Sequence, residues 1–176
     1  MLPDDARDAL SALRLPVTFD EPLSAHCSFG VGGPADAYAT PESPEQEAEL
    51  LAWARAHKQP VTRWTGVDNL IASDDGVRGL VLGPAAVAPG ASRRLFEEPA
   101  KGGSVDAMVE RSGMRGIRLR GARISPDDGN AVLNEGDATA RDVLLLMDSL
   151  RRRVARDHGL QLVDDLVVIG RRRAAR

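Results

Sequence analysis

Between Gly83 and Ser92 the sequence reads GPAAVAPGAS, a run of small residues and prolines with no apolar periodicity. Such a run carries neither the 3.6-residue rhythm of an amphipathic helix nor the alternation of a half-buried strand. It is a seam, and it limits the 176-residue chain to one compact domain or to two small lobes that share a core. Each side of the seam has its own element signals. Pro3 to Leu13 read as a short helix with Leu10 and Leu13 on one side. Ser43-Pro44-Glu45-Gln46 starts a second helix, with Ser43 as N-cap, Pro44 at the first helical position and Gln46 reaching back; it runs to about His57 and buries Leu50, Leu51 and Ala54. Val61–Trp64 and Gly79–Leu82 read as short strands. Beyond the seam, Ser104 caps a helix through Met108 and Val109 to the turn at Gly113. Strands follow at Gly116–Leu119 and Ala131–Leu133. Thr139 caps the longest helix, in which Val143, Leu146, Met147, Leu150 and Val154 share a face and Gly159 ends the run. A last strand is expected over Leu160–Ile169. The class is α+β.

Composition excludes several functions. The net charge of -3 gives no overall field for nucleic acid. The single Cys27 allows no internal disulfide and fits a reducing, cytoplasmic setting. No apolar run approaches membrane-spanning length, and the opening MLPDDARDAL is acidic, unlike a signal peptide. The bias toward arginine and alanine is that of a GC-rich, actinobacterial-type genome. The arginine-rich tail, Arg171–Arg176, reads as solvated. Three histidines, none at ligand spacing with another, and a lone cysteine argue against a metal site. Gly30-Val31-Gly32-Gly33 opens no helix and reads as a tight turn, not a nucleotide loop. His26 beside Cys27 would form an activated thiol if the side chains met; on a strand, adjacent residues face opposite ways.

The stretch TRWTGVDNLIASDDGVRGLVL, Thr62–Leu82, has the frame of a phosphate-binding loop between strands, yet Gly66 stands among Thr65, Val67 and Asp68. Backbone that cradles a pyrophosphate needs glycines, because a Cβ blocks the close approach.

With Phe19–Thr62, which contains SFGVGGPAD, and with Ser112–Leu144 and His158–Gly170 beyond the seam, the sequence resembles UDP-N-acetylenolpyruvoylglucosamine reductase, the flavoenzyme of peptidoglycan precursor synthesis. The resemblance implies the first lobe of that FAD-binding fold joined directly to its C-terminal, substrate-binding domain. Residues 1–90 would then be a degenerate FAD-binding-like lobe to which the final strand, 160–170, returns, and 91–159 the C-terminal-domain-like lobe. The family's middle FAD-binding lobe would fall at the seam, where this chain has only the short linker. At the family's glycine-rich diphosphate turn this chain keeps Asn69 and Gly66 but has Thr65, Val67 and Asp68 at the other positions. At the family's proton-donating serine it has Arg94. The family's C-terminal acid falls on Asp165, and the family's Ser-Pro-Lys-His-Ala-Asn becomes Ser125-Pro126-Asp127-Asp128-Gly129-Asn130, which loses both cations.

These departures lead to an expectation: no FAD and no reductase chemistry, because hydride transfer needs the electron carrier. The pocket is expected to take a small anionic substrate, with Asp165, Asp128 and Arg94 as catalytic candidates and Arg118, Arg120, Asn130 and Asn69 as substrate-binding candidates. Arg118 and Arg120 alternate on the expected strand and could grip an anion from one side, while Asp128 and Asp165 could work as a general acid–base pair. Against this stands a plainer reading, of solvated strand arginines and Asp-Asp turn formers. An enzyme of a biosynthetic pathway, such as that of a specialised metabolite, a non-catalytic ligand- or partner-binding remnant, and a minimal FAD-dependent reductase all remain open. In the first two, a homodimer or a partner protein would cover the face left by the absent lobe, and neither a membrane nor nucleic acid is involved.

Overall fold

The computed structural model describes residues 1–64, 69–84 and 94–170. The Thr65–Asp68 loop, most of the linker and the Arg171–Arg176 tail lie outside the described residues.

The first half is a four-stranded sheet in the order β1-β2-β5-β3. Its members are β1 (Val17–Pro22), β2 (Pro34–Ala39), β3 (Val61–Arg63) and β5 (Val77–Leu82). β1 runs antiparallel to β2, while β2, β3 and β5 are parallel. One face is covered by α1 (Asp4–Ala12) and α2 (Pro44–Ala56), where Leu10, Leu50 and Trp53 pack on Ala37, Ala39, Leu80 and Leu82. Ser43 Oγ accepts from the Gln46 N–H and Pro44 sits at the first position, as the sequence indicates. Gln46 Oε1, however, accepts from the Glu42 N–H, one residue before the cap. The opposite face carries Tyr38, Val77 and Val81 into a larger core shared with the second half.

The second half contains α3 (Val105–Arg111), a three-stranded meander of β6 (Arg118–Leu119), β7 (Ala122–Ile124) and β8 (Val132–Asn134), and α4 (Ala140–His158). Thr139 and Asp142 form a complete capping box, and Gly159 closes α4 in the left-handed conformation at φ +65°. The apolar face expected of α4 is the one buried: Val143, Leu146, Met147, Leu150 and Val154.

Three sets of contacts join the halves. β9 (Val167–Ile169) pairs parallel with β4 (Leu70–Ala72) as a separate two-stranded sheet. Asn134 Nδ2 donates to the carbonyls of Phe29, at 3.3 Å, and Gly30, at 2.9 Å. Asp74 receives the Ala140 and Arg141 N–H groups at 2.7 and 2.9 Å, an anion from the first half placed on the N-terminus of α4. The strand expected over Leu160–Ile169 is shorter than its apolar run. The Asp165 N–H donates to the Leu95 carbonyl and Phe96 forms an isolated bridge with Asp164, so the backbone before Val167 pairs with the 95–96 segment instead of a neighbouring strand.

The Gly30–Gly33 run is a turn pressed onto the Ser73–Gly76 hairpin. The Gly33 N–H donates to the Ser73 carbonyl at 2.9 Å, and a Cβ at Gly33 would strike the Asp74 carbonyl and come within 2.7 Å of the Gly76 nitrogen. Only glycine fits there, for packing between backbones.

Replacing Asp74 with Ala removes the capping carboxylate and one tie between the halves. Urea unfolding should show a loss of about 1 kcal/mol, as for other helix-cap deletions.

Candidate functional site

The parallel register of β4 and β9 places the first pair of site residues. The Val167 N–H donates to the Asn69 carbonyl at 2.8 Å. In that register the Asn69 amide Nδ2 reaches Asp165 Oδ2 at 3.2 Å, joining residues far apart in sequence. The Asp165 carboxyl is half-buried. Leu95 lies at the centre: its N–H donates to the Asn130 carbonyl and its carbonyl accepts from Asp165, so the neighbouring Arg94 stands beside this group, bridged to Ala131. Arg94 is exposed, and its guanidinium makes no ion pair among the described residues.

The structure separates the other candidates from this group. Asn130 is buried and its amide is engaged on both sides: Oδ1 accepts from the Phe96 N–H at 2.9 Å, and Nδ2 donates to the Phe96 carbonyl at 2.8 Å and to Glu98 Oε1 at 3.2 Å. It clamps Phe96 in the core. Asp128 closes a turn, its Oδ1 accepting from the Asn130 N–H at 2.9 Å, while Ser125 Oγ accepts from the Asp127 and Asp128 N–H groups. No hydrogen bond joins Asp128 to Asp165 among the described residues; Asp128 instead faces the charge of Arg115. Arg115 and the Gly129 N–H both donate to Asp106, and these hydrogen bonds, that from Arg115 foremost, hold the Asp106 carboxyl below its ordinary value.

The alternation expected for Arg118 and Arg120 does not form. β6 ends at Leu119, and Arg120 with Gly121 makes the two-residue hairpin loop to β7, Arg120 at φ +50°. Arg118 pairs with Glu135, and Arg120 lies 3.8 Å from Asp142, the buried member of the α4 capping box. Both guanidinium groups thus already have carboxylate partners, Glu135 just after β8 and Asp142 in the first turn of α4, and the two-residue loop prevents the one-sided grip.

A second polar group was not legible as a unit in the sequence. His26 ends a 3-10 turn (Leu23–His26) rather than lying on a strand, and stacks on Tyr38 with centroids 4.1 Å apart. Its Nε2 donates to Glu21 Oε1 at 2.8 Å. Burial, then the charge of Glu21, pushes the Tyr38 phenol up to about 12, and the hydroxyl donates to the Pro84 carbonyl at 2.6 Å. The Cys27 thiol donates to the Leu70 carbonyl at 3.0 Å. Three buried polar atoms find no partner among the described residues: His26 Nδ1, Trp64 Nε1 and Asn69 Oδ1. Trp64 and Asn69 flank the loop at residues 65–68. Buried polar atoms are seldom left unpaired, so each of the three is a candidate for contact with water or a ligand. Among the described residues no His, Cys, Asp or Glu cluster could hold a metal ion.

Two outcomes follow from this wiring. Asn130→Ala should destabilise the fold by about 1–3 kcal/mol, because it leaves the buried Phe96 N–H unpaired; chemical denaturation checks it. For Asp106, a folded-state value below the unfolded one means stability that is present above the unfolded value and lost as pH falls through the folded one. Asp106→Asn should therefore be less stable than the parent near about pH 7, with the difference vanishing toward about pH 3, as urea titrations at the two pH values would show.

Comparison with known proteins fits this architecture. Residues 88–169 match the UDP-N-acetylenolpyruvoylglucosamine reductase, C-terminal domain, family. UDP-N-acetylenolpyruvoylglucosamine reductase of Desulfosudis oleivorans is 36% identical over 76 residues, 43% of this chain and 24% of the relative. That of Lactococcus lactis is 47% identical over 66 residues, 38% of this chain and 22% of the relative. Each match thus spans about a quarter of the relative's length. The crystal structure of the reductase (MurB) from Thermus caldophilus superposes with a TM-score of 0.63 at 17% identity, covering 88% of this chain and 98% of that one. No helix among the described residues is long and apolar enough to cross a membrane. The α+β fold, the C-terminal domain match over residues 88–169 and these partial relatives support a truncated MurB-like homologue.

Proposed function

We propose that this chain is a flavin-free member of its lineage that acts on a small anionic substrate by acid–base chemistry, such as elimination, isomerisation or ring closure, in a cytoplasmic biosynthetic pathway. The observation that supports the reading is the Asn69–Asp165 contact, in which an amide meets a half-buried carboxyl, with the exposed Arg94 preceding Leu95, whose carbonyl accepts from the Asp165 N–H. One carboxylate oxygen is held by the amide, and the group can take or give a proton while Arg94 attracts the anion. Asn69 is the positioning residue. Asp128, Asn130, Arg118 and Arg120 support the scaffold in this reading, since each already has a structural partner.

The resident cofactor of the relatives is FAD, and the flavin-free reading is supported by how the described glycines of the first half are used. In the first half, glycine after glycine is filled by the chain itself: Gly32 lies against Ala72, Gly33 against Asp74 and Gly76, Gly76 against Pro34, Gly79 against Pro60 and Gly83 against Tyr38. An open backbone cradle of the kind a dinucleotide needs is not among them. The sequence adds Thr65, Val67 and Asp68 where bare backbone would be required, and no step is routed through a flavin. A second copy or another protein covering the face left by the middle lobe belongs to the same reading.

A second reading, a binding protein without catalysis, is favoured by one observation: most polar candidates are consumed by structural hydrogen bonds and ion pairs.

Purified protein should be colourless and should not quench free FAD fluorescence; a yellow, stoichiometric flavin complex would revive the reductase reading. In a thermal-shift screen with phosphate, small carboxylates and UDP-sugars, the anion that raises the melting temperature should lose about tenfold in affinity, or about 1.4 kcal/mol, in Arg94→Ala, with unchanged stability of the ligand-free variant. Turnover abolished in Asp165→Asn while binding persists supports the enzyme. Binding without turnover in the parent supports the non-catalytic alternative.

A further inference from the structure

The segment 160–170 is a strap that crosses from one half to the other, and its two arms are held differently. The first arm, residues 160–165, lies along the 95–97 segment: the Glu97 N–H donates to the Val163 carbonyl at 2.9 Å and the Asp165 N–H to the Leu95 carbonyl at 3.0 Å. Side chains reinforce that backbone. Leu162 is buried in the shared core, and Asp164 pairs with Arg151, whose guanidinium lies over the ring of the fully buried Phe96. The second arm, residues 166–170, contains β9 and lies along β4. Its backbone is paired, with the Val167 N–H on the Asn69 carbonyl at 2.8 Å and the Ser73 N–H on the Ile169 carbonyl at 2.9 Å. Its side chains add little. Leu166, Val168 and Ile169 are only half-buried, Val167 is 53% exposed, and with apolar residues and a glycine alone no ion pair backs the ladder. A segment held mainly by backbone hydrogen bonds near the surface opens far more readily than the core. β4 has holds of its own on the first half, through the Cys27 thiol on the Leu70 carbonyl and the packing of Gly32 against Ala72. It can therefore stay in place when β9 leaves.

We propose that residues 166–170 are a clasp that opens on its own, hinged at Asp165, while the first arm and the rest of the fold stay closed. Asp165 stands at the join. Its N–H belongs to the first arm, and its carboxyl meets the Asn69 amide at 3.2 Å, beside the hydrogen bond that begins the second. With the clasp shut, Asn69 is engaged twice, through its carbonyl by Val167 and through its side chain by Asp165. With the clasp open, that carbonyl is released, the backbone after Asp165 turns to water, and the parallel register no longer holds the pair together. Closure assembles the Asn69–Asp165 pair and opening takes it apart. The clasp thus deepens the functional reading, because only the closed form presents that pair, and it rests on that reading for its use. Its opening requires neither a ligand nor turnover.

Amide hydrogen exchange of the full chain, followed residue by residue by NMR with no ligand added, reads the clasp directly. The Val167 and Ser73 amides donate across the β4–β9 pair, whereas the Glu97 and Asp165 amides report the first arm. The expected result is that Val167 and Ser73 lose protection together and are about tenfold or more less protected than Glu97 and Asp165. Gly170→Ala loosens the clasp further. Gly170 has φ +90° and a Cβ there would lie 2.6 Å from the Gly76 carbonyl oxygen, so the end of β9 is pushed off the hairpin. Protection at Val167 and Ser73 should fall about another tenfold, while Glu97, Asp165 and the circular dichroism spectrum keep the parent's values. Should Gly170→Ala fail to fold, Ile169→Ala, which trims a half-buried anchor of the same arm, decides by the same comparison. Equal protection at all of these amides, or a loss in the variant shared by all of them, means that strap and fold open as one unit and overturns the clasp. Selective exchange in a protein that binds no anion and turns nothing over supports the clasp and removes the functional reading, so the two fail separately.

Discussion

The pairing of β9 with β4 is the constraint on which the rest depends. It is parallel, so the two strands need a long intervening chain, and here nearly the whole second half supplies it. Their register sets which residues of the last segment face the first half. A slip of one residue would turn Asp165 away from Asn69 and carry Val167 and Ile169 to the wrong edge. The neighbouring hairpin then brings Asp74 to the start of α4, and Asn134 returns a bond to the Gly30 turn. Backbone pairing thus fixes the halves against each other before any candidate site chemistry is possible.

Within that frame, polar residues divide by whether their hydrogen-bonding capacity is used. Asn130 spends its amide on Phe96 and Glu98, Asp128 spends a carboxylate oxygen on its own turn, and Arg118 and Arg120 meet Glu135 and Asp142. Among the described residues, what is left over includes the unpaired buried atoms of His26, Trp64 and Asn69 and the exposed guanidinium of Arg94, which makes no ion pair there. A ligand is attracted by capacity that the protein itself has not satisfied, and two of these residues, Trp64 and Asn69, flank residues 65–68. The same logic separates packing glycines from binding glycines: a glycine whose missing Cβ makes room for neighbouring backbone has no room for phosphate.

Much of the helical structure was legible in the sequence. Ser43-Pro44 and Thr139 with Asp142 state where α2 and α4 begin, and the α4 stripe states which face is buried, because caps and 3.6-residue periodicity are local properties. The strands were less legible. β2 is PADAYA, buried along nearly its whole length, so it shows neither alternation nor β-branched residues. β4 and β7 have three residues each, too few for a period to emerge. Arg120 was misplaced because a hairpin loop beginning at an arginine carries no turn signature of its own until Gly121.

By itself, then, the sequence determined the class, the helix limits and the kinship with the reductases, all of which rest on local chemistry or on ordered motifs. It also singled out Asn69 and Asp165, but only one by one. Only the tertiary structure decided that these two touch and that Asn130 and the hairpin arginines are committed elsewhere. The physical reason is that hydrogen-bond partners are assigned by long-range register and packing, and a side chain's capacity to bind anything else is what those assignments leave behind.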